Sequence, residues 1–386
     1  PPANVPAATR TVPVMRSVPS PESLMPRGGM RGTLSIDGAA SASAGHVLIS
    51  FGQCQPCHDG GSRAGSGAHH WQATTTDAGA SWHVVRTSLA LTTFAFAGAD
   101  GWAEGTGTDS VLRFFASHDG GLTWHPAGPA GVGNVSIAGG EVWSLGCAGN
   151  ACDDTVLRGL ASGNHLAETS TEPPLSDTTN VSVAALSRDR AYVLADDYGT
   201  GRDAGNISRT RLFGTNNGGA TWRSEPAPCP HRTFGHLYAG GTQSLWVTCE
   251  PRRGLTELRR SSDGGARWTT PLAARANSGQ LQPASAQVAW ATTPDGQVLR
   301  TADGGRTWTR VWYGGRPEAT APTNAPPVNR SWGEVLAVQS PTTATVIAQV
   351  TRRRTGAHAT RTDFVSYRST DGGRTWAPTV VRLPAG

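Results

Sequence analysis

The chain has 386 residues, with 33 basic side chains, all arginine, against 28 acidic ones, and the net charge of +5 is spread along it. A nucleic-acid binder would gather such charge into a stripe, and no run of about 18 apolar residues occurs that could span a membrane as a helix. Charged residues make up only 16 % of the chain, which excludes a charged disordered tail, and Gly and Pro account for 75 residues, which disfavours long helices and favours turns.

Residues 1–27 hold seven prolines and cannot form a regular sheet. They are expected to be a leader or a strap laid on the fold. Beyond them one octet recurs six times. It reads Thr75-Thr-Asp-Ala-Gly-Ala-Ser-Trp82, Ser117-His-Asp-Gly-Gly-Leu-Thr-Trp124 and Thr215-Asn-Asn-Gly-Gly-Ala-Thr-Trp222. It returns as Ser261-Ser-Asp-Gly-Gly-Ala-Arg-Trp268, Thr301-Ala-Asp-Gly-Gly-Arg-Thr-Trp308 and Ser369-Thr-Asp-Gly-Gly-Arg-Thr-Trp376. The acidic or amide residue of each octet (Asp77, Asp119, Asn217, Asp263, Asp303, Asp371) can accept backbone N–H bonds across a hairpin turn. The Gly supplies positive φ and the Trp returns into the sheet.

This octet resembles the Asp box, or BNR repeat, of sialidase-type β-propellers. The resemblance implies an all-β, seven-bladed β-propeller with four antiparallel strands per blade and box turns between third and fourth strands. The box tryptophans are 42, 98, 46, 40 and 68 residues apart. The gap of 98 is about twice a blade and should hide one with a decayed box near Ser162-Gly-Asn164. The gap of 68 is too short for two blades and carries a Pro-rich insertion over 313–331. One propeller over residues 28–386 is therefore expected. Strand cores such as Gly101-Trp-Ala103, Val142-Trp-Ser144, Leu245-Trp-Val247 and Ala289-Trp-Ala291 mark its second strands. Trp71, Trp312 and Trp332 fall outside the repeat positions. Trp312 and Trp332 flank the insertion, where they either anchor a long loop or offer a stacking face to a sugar.

The six cysteines are Cys54, Cys57, Cys147, Cys152, Cys229 and Cys249. The propeller register puts 54 with 57 and 147 with 152 in single loops, and puts 229 and 249 in one blade. Three local disulfides are expected. Such pairing points to a secreted or cell-envelope protein whose signal peptide has been removed. Cys54-Gln-Pro-Cys57-His58 also fits the pattern for covalent haem attachment, but no helical surround follows it, so a short disulfide is the expectation. A zinc set of Cys54, Cys57, His69 and His70 breaks the usual spacing. No cofactor and no metal are expected.

In such a propeller the boxes mark one end of the barrel. The second-to-third-strand loops and the connections between blades emerge at the other end, and function is expected there. Ligand-binding candidates are His58, Asp59, His69, His70, Tyr198, Arg202, His231, Arg252, Arg253, Trp312, Tyr313, Arg352, Arg354 and His358, with His236 and Glu250 on the same end. Converging arginine forks there would suit a carboxylate or sulfate. Asp153 and Asp154, with Asp196 and Asp197 on the next blade, are the candidate catalytic carboxylates. The alternative for each pair is a role in loop turns. The Arg-Ile-Pro signature of sialidases is absent from the first blade, where Pro26-Arg-Gly-Gly and Met30-Arg-Gly stand, and none of the five tyrosines is assignable as a nucleophile. Two readings follow. One is an exported, monomeric binding propeller for a glycan or protein. The other is a glycan-active hydrolase or lyase.

Overall fold

The computed structural model describes residues 30–31, 33–43, 45–54, 69–128, 134–146, 155–175, 178–198, 207–251, 256–270, 281–293, 297–313, 334–353 and 360–383. These form seven antiparallel sheets, and no helix occurs among them. Blades 1 to 7 span 33–87, 90–126, 136–168, 178–225, 233–269, 281–313 and 334–381, and in each the strands lie side by side in chain order. In blade 5 the fourth strand is reduced to an isolated bridge between Arg260 and Thr269.

The box turns repeat because each satisfies its own backbone. In blade 1 the Thr75 hydroxyl donates to Asp77 at 2.8 Å and accepts the Gly79 N–H at 2.8 Å. Asp77 in turn accepts the Ser81 N–H at 2.9 Å and the Ser81 hydroxyl. Gly79 has φ +87°, a conformation that glycine adopts without strain. In blade 4 Asn217 takes the aspartate's place: it accepts the Thr221 N–H at 3.0 Å and donates to the Thr221 hydroxyl at 3.0 Å.

A second link joins every one of these turns to the turn between the first and second strands of its blade. Ala78 N–H donates to the Gly45 carbonyl, Gly120 to Ala99, Gly218 to Asp189, Gly264 to Gln243, Gly304 to Gln287 and Gly372 to Thr342. Blade 3 keeps the link without an octet: Ala161 N–H donates to the Gly140 carbonyl at 2.9 Å. The turn over 161–164 is thus the shortened box that the spacing predicts.

Apolar layers between neighbouring blades form the core. Trp102, Trp143, Trp246 and Trp290 of the second strands are fully buried in them. One layer unites Leu34, Ile49 and Phe51 of blade 1 with Ala337, Ile347 and Phe364 of blade 7, so the ring closes. Met30–Arg31 adds to closure by pairing with Thr362 and Arg361 on blade 7. The box residues Trp376 and Trp222 bond backbone outside their own blades: Trp376 Nε1 donates to the Val311 carbonyl of blade 6 at 2.7 Å, and Trp222 Nε1 to the Thr171 carbonyl in the connection from blade 3 at 3.0 Å.

Polar side chains pair the inner strands across blade boundaries, where no sheet continues. Asn134 donates to the Val183 carbonyl at 2.8 Å and accepts the Val183 N–H at 2.7 Å. Gln282 does the same for the Leu336 carbonyl and the Val338 N–H, at 2.5 and 3.0 Å. From the second strand of blade 7, Gln349 reaches the Leu34 carbonyl on the inner strand of blade 1 at 2.6 Å. Arginines form a third layer of links. Arg158, Arg260 and Arg300 lie opposite Trp143, Trp246 and Trp290 in register and stack over their rings at 5.1, 5.7 and 5.4 Å. Arg158 then bonds the Gly218 carbonyl of blade 4, and Arg300 the Pro341 carbonyl of blade 7.

Blades 2 and 3 are bridged by a histidine. His118 Nδ1 meets Asp100 Oδ1 and its Nε2 meets Asn164 Oδ1, both at 2.8 Å. The hydrogen bonds to Asp100 and then to Asn164 raise its pKa, since only the imidazolium can donate on both sides. A raised folded-state value means that this contribution is complete below the ordinary histidine range and is lost as pH rises through the raised value. Substituting His118 by Gln is expected to flatten the stability decline that begins above the ordinary histidine value of 6.5, read as Tm against pH.

Cys229 and Cys249 form a disulfide that pins the connection entering blade 5 to that blade's second strand. The other two expected bridges involve Cys57, Cys147 and Cys152, which lie outside the described residues, as does any haem attachment at Cys57 and His58. The closed loop has a sequence separation of 20. Removing it with paired Ser substitutions is expected to cost about 3 kcal/mol, measured as a lower denaturant midpoint.

Candidate functional site

The box turns and the first-to-second-strand turns meet at one end of the barrel, as the carbonyl links above require. The ends of the second strands and the starts of the third strands therefore lie at the other. On blade 4 this end is built by Ala191–Tyr198 and Ile207–Thr215. Side chains alternate along a strand, so Asp196 and Asp197 point to opposite faces.

Asp196 faces blade 5. It is fully buried, and its Oδ2 accepts the Gly235 N–H at 3.1 Å. With the Ser182 hydroxyl, which accepts the Leu237 N–H at 3.1 Å, it ties the first strand of blade 5 to blade 4. It is an inter-blade tie with no exposure for acid–base work. Asp197 faces the other way. Arg209 Nε donates to its Oδ2 at 2.8 Å, and Arg211 donates to its Oδ1 from Nε at 2.8 Å and Nη2 at 2.6 Å. Arg211 is fixed further by a 2.5 Å bond from Nη1 to the Pro174 carbonyl and by stacking over Phe213 at 5.3 Å. Two guanidinia on one carboxylate leave a local charge of about +1. The Asp197 side chain is 11 % exposed, whereas that of Arg209 is 61 % exposed. The strand spacing Arg209-Thr-Arg211 could have shown that the two arginines share a face, and the candidate set above lacks both.

On blade 5, His236 Nε2 lies 3.2 Å from Glu250 Oε1, and both are partly exposed. Deeper on the same face, desolvation pushes the Tyr238 phenol well above its ordinary range. His231 and Arg232 are exposed in the turn after Cys229, and Arg232 has φ +64°. On blade 1, His69 contacts Arg86, while His70 Nδ1 lies 3.7 Å from Asp37 Oδ2. Among the described residues no three His, Cys, Asp or Glu side chains converge as a metal site would need.

Trp312 is 2 % exposed and packs against Tyr367 at 5.5 Å between ring centroids. It is part of the core between blades 6 and 7, and burial closes its ring to a sugar. Trp71 packs on the layer between blades 1 and 7. The backbones of Tyr198, Tyr313 and Arg352 pair with Ile207, Gln297 and Arg361. His58, Asp59, Asp153, Asp154, Arg202, Arg252, Arg253, Trp332, Arg354 and His358 lie outside the described residues. No described helix is long and apolar enough to cross a membrane.

A family model described as the BNR/Asp-box repeat matches residues 367–378, the box of blade 7. No curated protein matches the chain. Among solved structures, the chain is similar to the GH74 enzyme of Niastella koreensis, with 12 % identity and a TM-score of 0.51 over 91 % of this chain and 67 % of that one. It is similar to YCF48 from Cyanidioschyzon merolae at 19 % identity and a TM-score of 0.46, over 76 % of this chain and 85 % of the other. It also resembles Trypanosoma rangeli sialidase at 11 % identity and a TM-score of 0.43, over 90 % of this chain and 56 % of the other. Likeness at these identities speaks for fold alone. The six box turns, the match at the last of them and the seven closed blades make the chain a seven-bladed β-propeller with Asp-box turns.

Proposed function

We propose that this protein is an exported binding propeller that holds an anionic glycan on the face opposite the boxes. The observation that carries this reading is the Asp197 carboxylate clamped between Arg209 and Arg211. The clamp fixes the guanidinia before any ligand arrives, and Arg209 presents its exposed edge to a second carboxylate or a sulfate. The disulfide between Cys229 and Cys249 supports an oxidising compartment outside the cytosol.

Substituting Arg209 by Gln is the direct test, because its exposure makes its stability contribution small. Affinity for a uronate-containing oligosaccharide is expected to fall about tenfold, with a shallower dependence on salt, measured by titration calorimetry. Unchanged affinity and salt dependence would remove the clamp from the binding site. An acidic peptide that binds where no glycan does would reassign the same surface to a protein partner.

A second reading, a glycan-active hydrolase or lyase, draws on the partly exposed pair His236 and Glu250. It requires that released fragments disappear when Glu250 becomes Gln.

A further inference from the structure

A cleft of about 350 Å³ opens at the box end of blade 4, away from the clamped aspartate, around Arg190, Tyr192, Gly214, Arg223 and Glu225. Its origin lies in strand register. Opposite the second-strand tryptophan, blades 3, 5 and 6 place Arg158, Arg260 and Arg300. In blade 4 the pair is Tyr192 and Gly214, so the space of an arginine side chain is left open. Arg190, just before the strand of Tyr192, supplies the missing cation: it lies over the ring at 5.6 Å and donates Nε and Nη2 to the phenol oxygen at 3.0 and 2.8 Å.

The glycine is required by its surroundings. A Cβ on Gly214 would sit 2.7 Å from Tyr192 Cε1 and 3.4 Å from Glu225 Oε1, so the Glu225 carboxylate hangs over the gap. Arg223 and Glu225 are two residues apart on one strand and share a face, with Cα atoms about 7 Å apart. Neither side chain has an ion-pair or hydrogen-bond partner among the described residues. The box Asp263 of blade 5 adds a second carboxylate near Tyr192.

Charge and shape select the ligand. A lone anion would meet the Glu225 carboxylate, and a lone cation would meet two guanidinia. A sugar ring would need an open aromatic face, and Tyr192 is only 3 % exposed. We propose that this cleft binds a small zwitterion, an amino acid or dipeptide whose carboxylate meets Arg223 and whose ammonium meets Glu225.

The probe is L-alanyl-L-alanine, followed by ligand-observed NMR on the whole chain. Dialanine is expected to bind with a Kd of about a millimolar, the scale for so few atoms. Its N-acetyl and C-amide derivatives are each expected to bind about tenfold more weakly. Glu225→Gln should erase the difference between free and acetylated amine, and Arg223→Gln the difference between acid and amide. Both residues lie on the outer strand, and matching Tm values would show that the variants fold. Three results would overturn the proposal: no dialanine binding, binding that neither variant alters, or glucose binding as tightly as dialanine.

Discussion

Replacing Trp290 with Ala is expected to lower stability by about 4 kcal/mol, seen as a fall in denaturant midpoint with an unchanged slope. The indole is fully buried between blades 6 and 7, among Val298, Val311, Leu336 and Val346. It meets the box Trp376 edge-on at 6.3 Å and carries Arg300 over its face at 5.4 Å. Truncation leaves a cavity at a blade boundary, and the rigid sheets on either side cannot collapse into it. Arg300→Ala removes only the stacking and the bonds to Pro341, and should cost about 1 kcal/mol. A Trp290 cost no larger than the Arg300 cost would mean that apolar layers do not hold the blades together.

Acid should weaken the protein through its boxes. Asp77 is brought down from the usual 3.8 to about 2, first by the Ser81 hydroxyl and then by the Ser81 N–H. Asp303 is lowered to about 2 by the Thr307 hydroxyl and N–H. The Ser261 hydroxyl leads in lowering Asp263. At Asp119 and Asp371 burial works the other way, and the hydroxyl and backbone donors of Thr123 and Thr375 outweigh it. Depressed carboxylates stabilise the fold above their unfolded value, and that stability is lost as pH falls through the folded value. The loss is therefore expected between about pH 4 and pH 2. Blade 4 already uses Asn217 in the same hydrogen-bonding geometry. A variant with Asn at the five acidic boxes should keep the fold and lose most of the acid slope, read by urea unfolding across that range. An unaltered slope would place the acid-sensitive carboxylates elsewhere.

The scaffold was legible because its signals are local. A hydroxyl, an acidic residue, a glycine and a tryptophan at fixed offsets make the same turn wherever they occur, and their spacing counted the blades, including the one without an octet. The pairing of Cys229 with Cys249 followed from blade register. The site was less legible because it depends on which strand faces which. Asp196 and Asp197 are adjacent in sequence and diverge in space, one tying blade 5 and the other held by two arginines. Alternation could have shown that divergence. The cross-strand register that brings Arg209 and Arg211 onto Asp197 could not be read from spacing alone. Trp312 flanks a Pro-rich stretch, and only three-dimensional packing shows that Tyr367 covers it.

The measurement that bears most directly on a binding propeller is chromatography of intact uronate-containing and sulfated polysaccharides after incubation with the protein. Binding without chemistry predicts depletion of the intact chain, no released fragments, and recovery of the chain at high salt. Released fragments that disappear with Glu250→Gln would contradict it and make the face an active site.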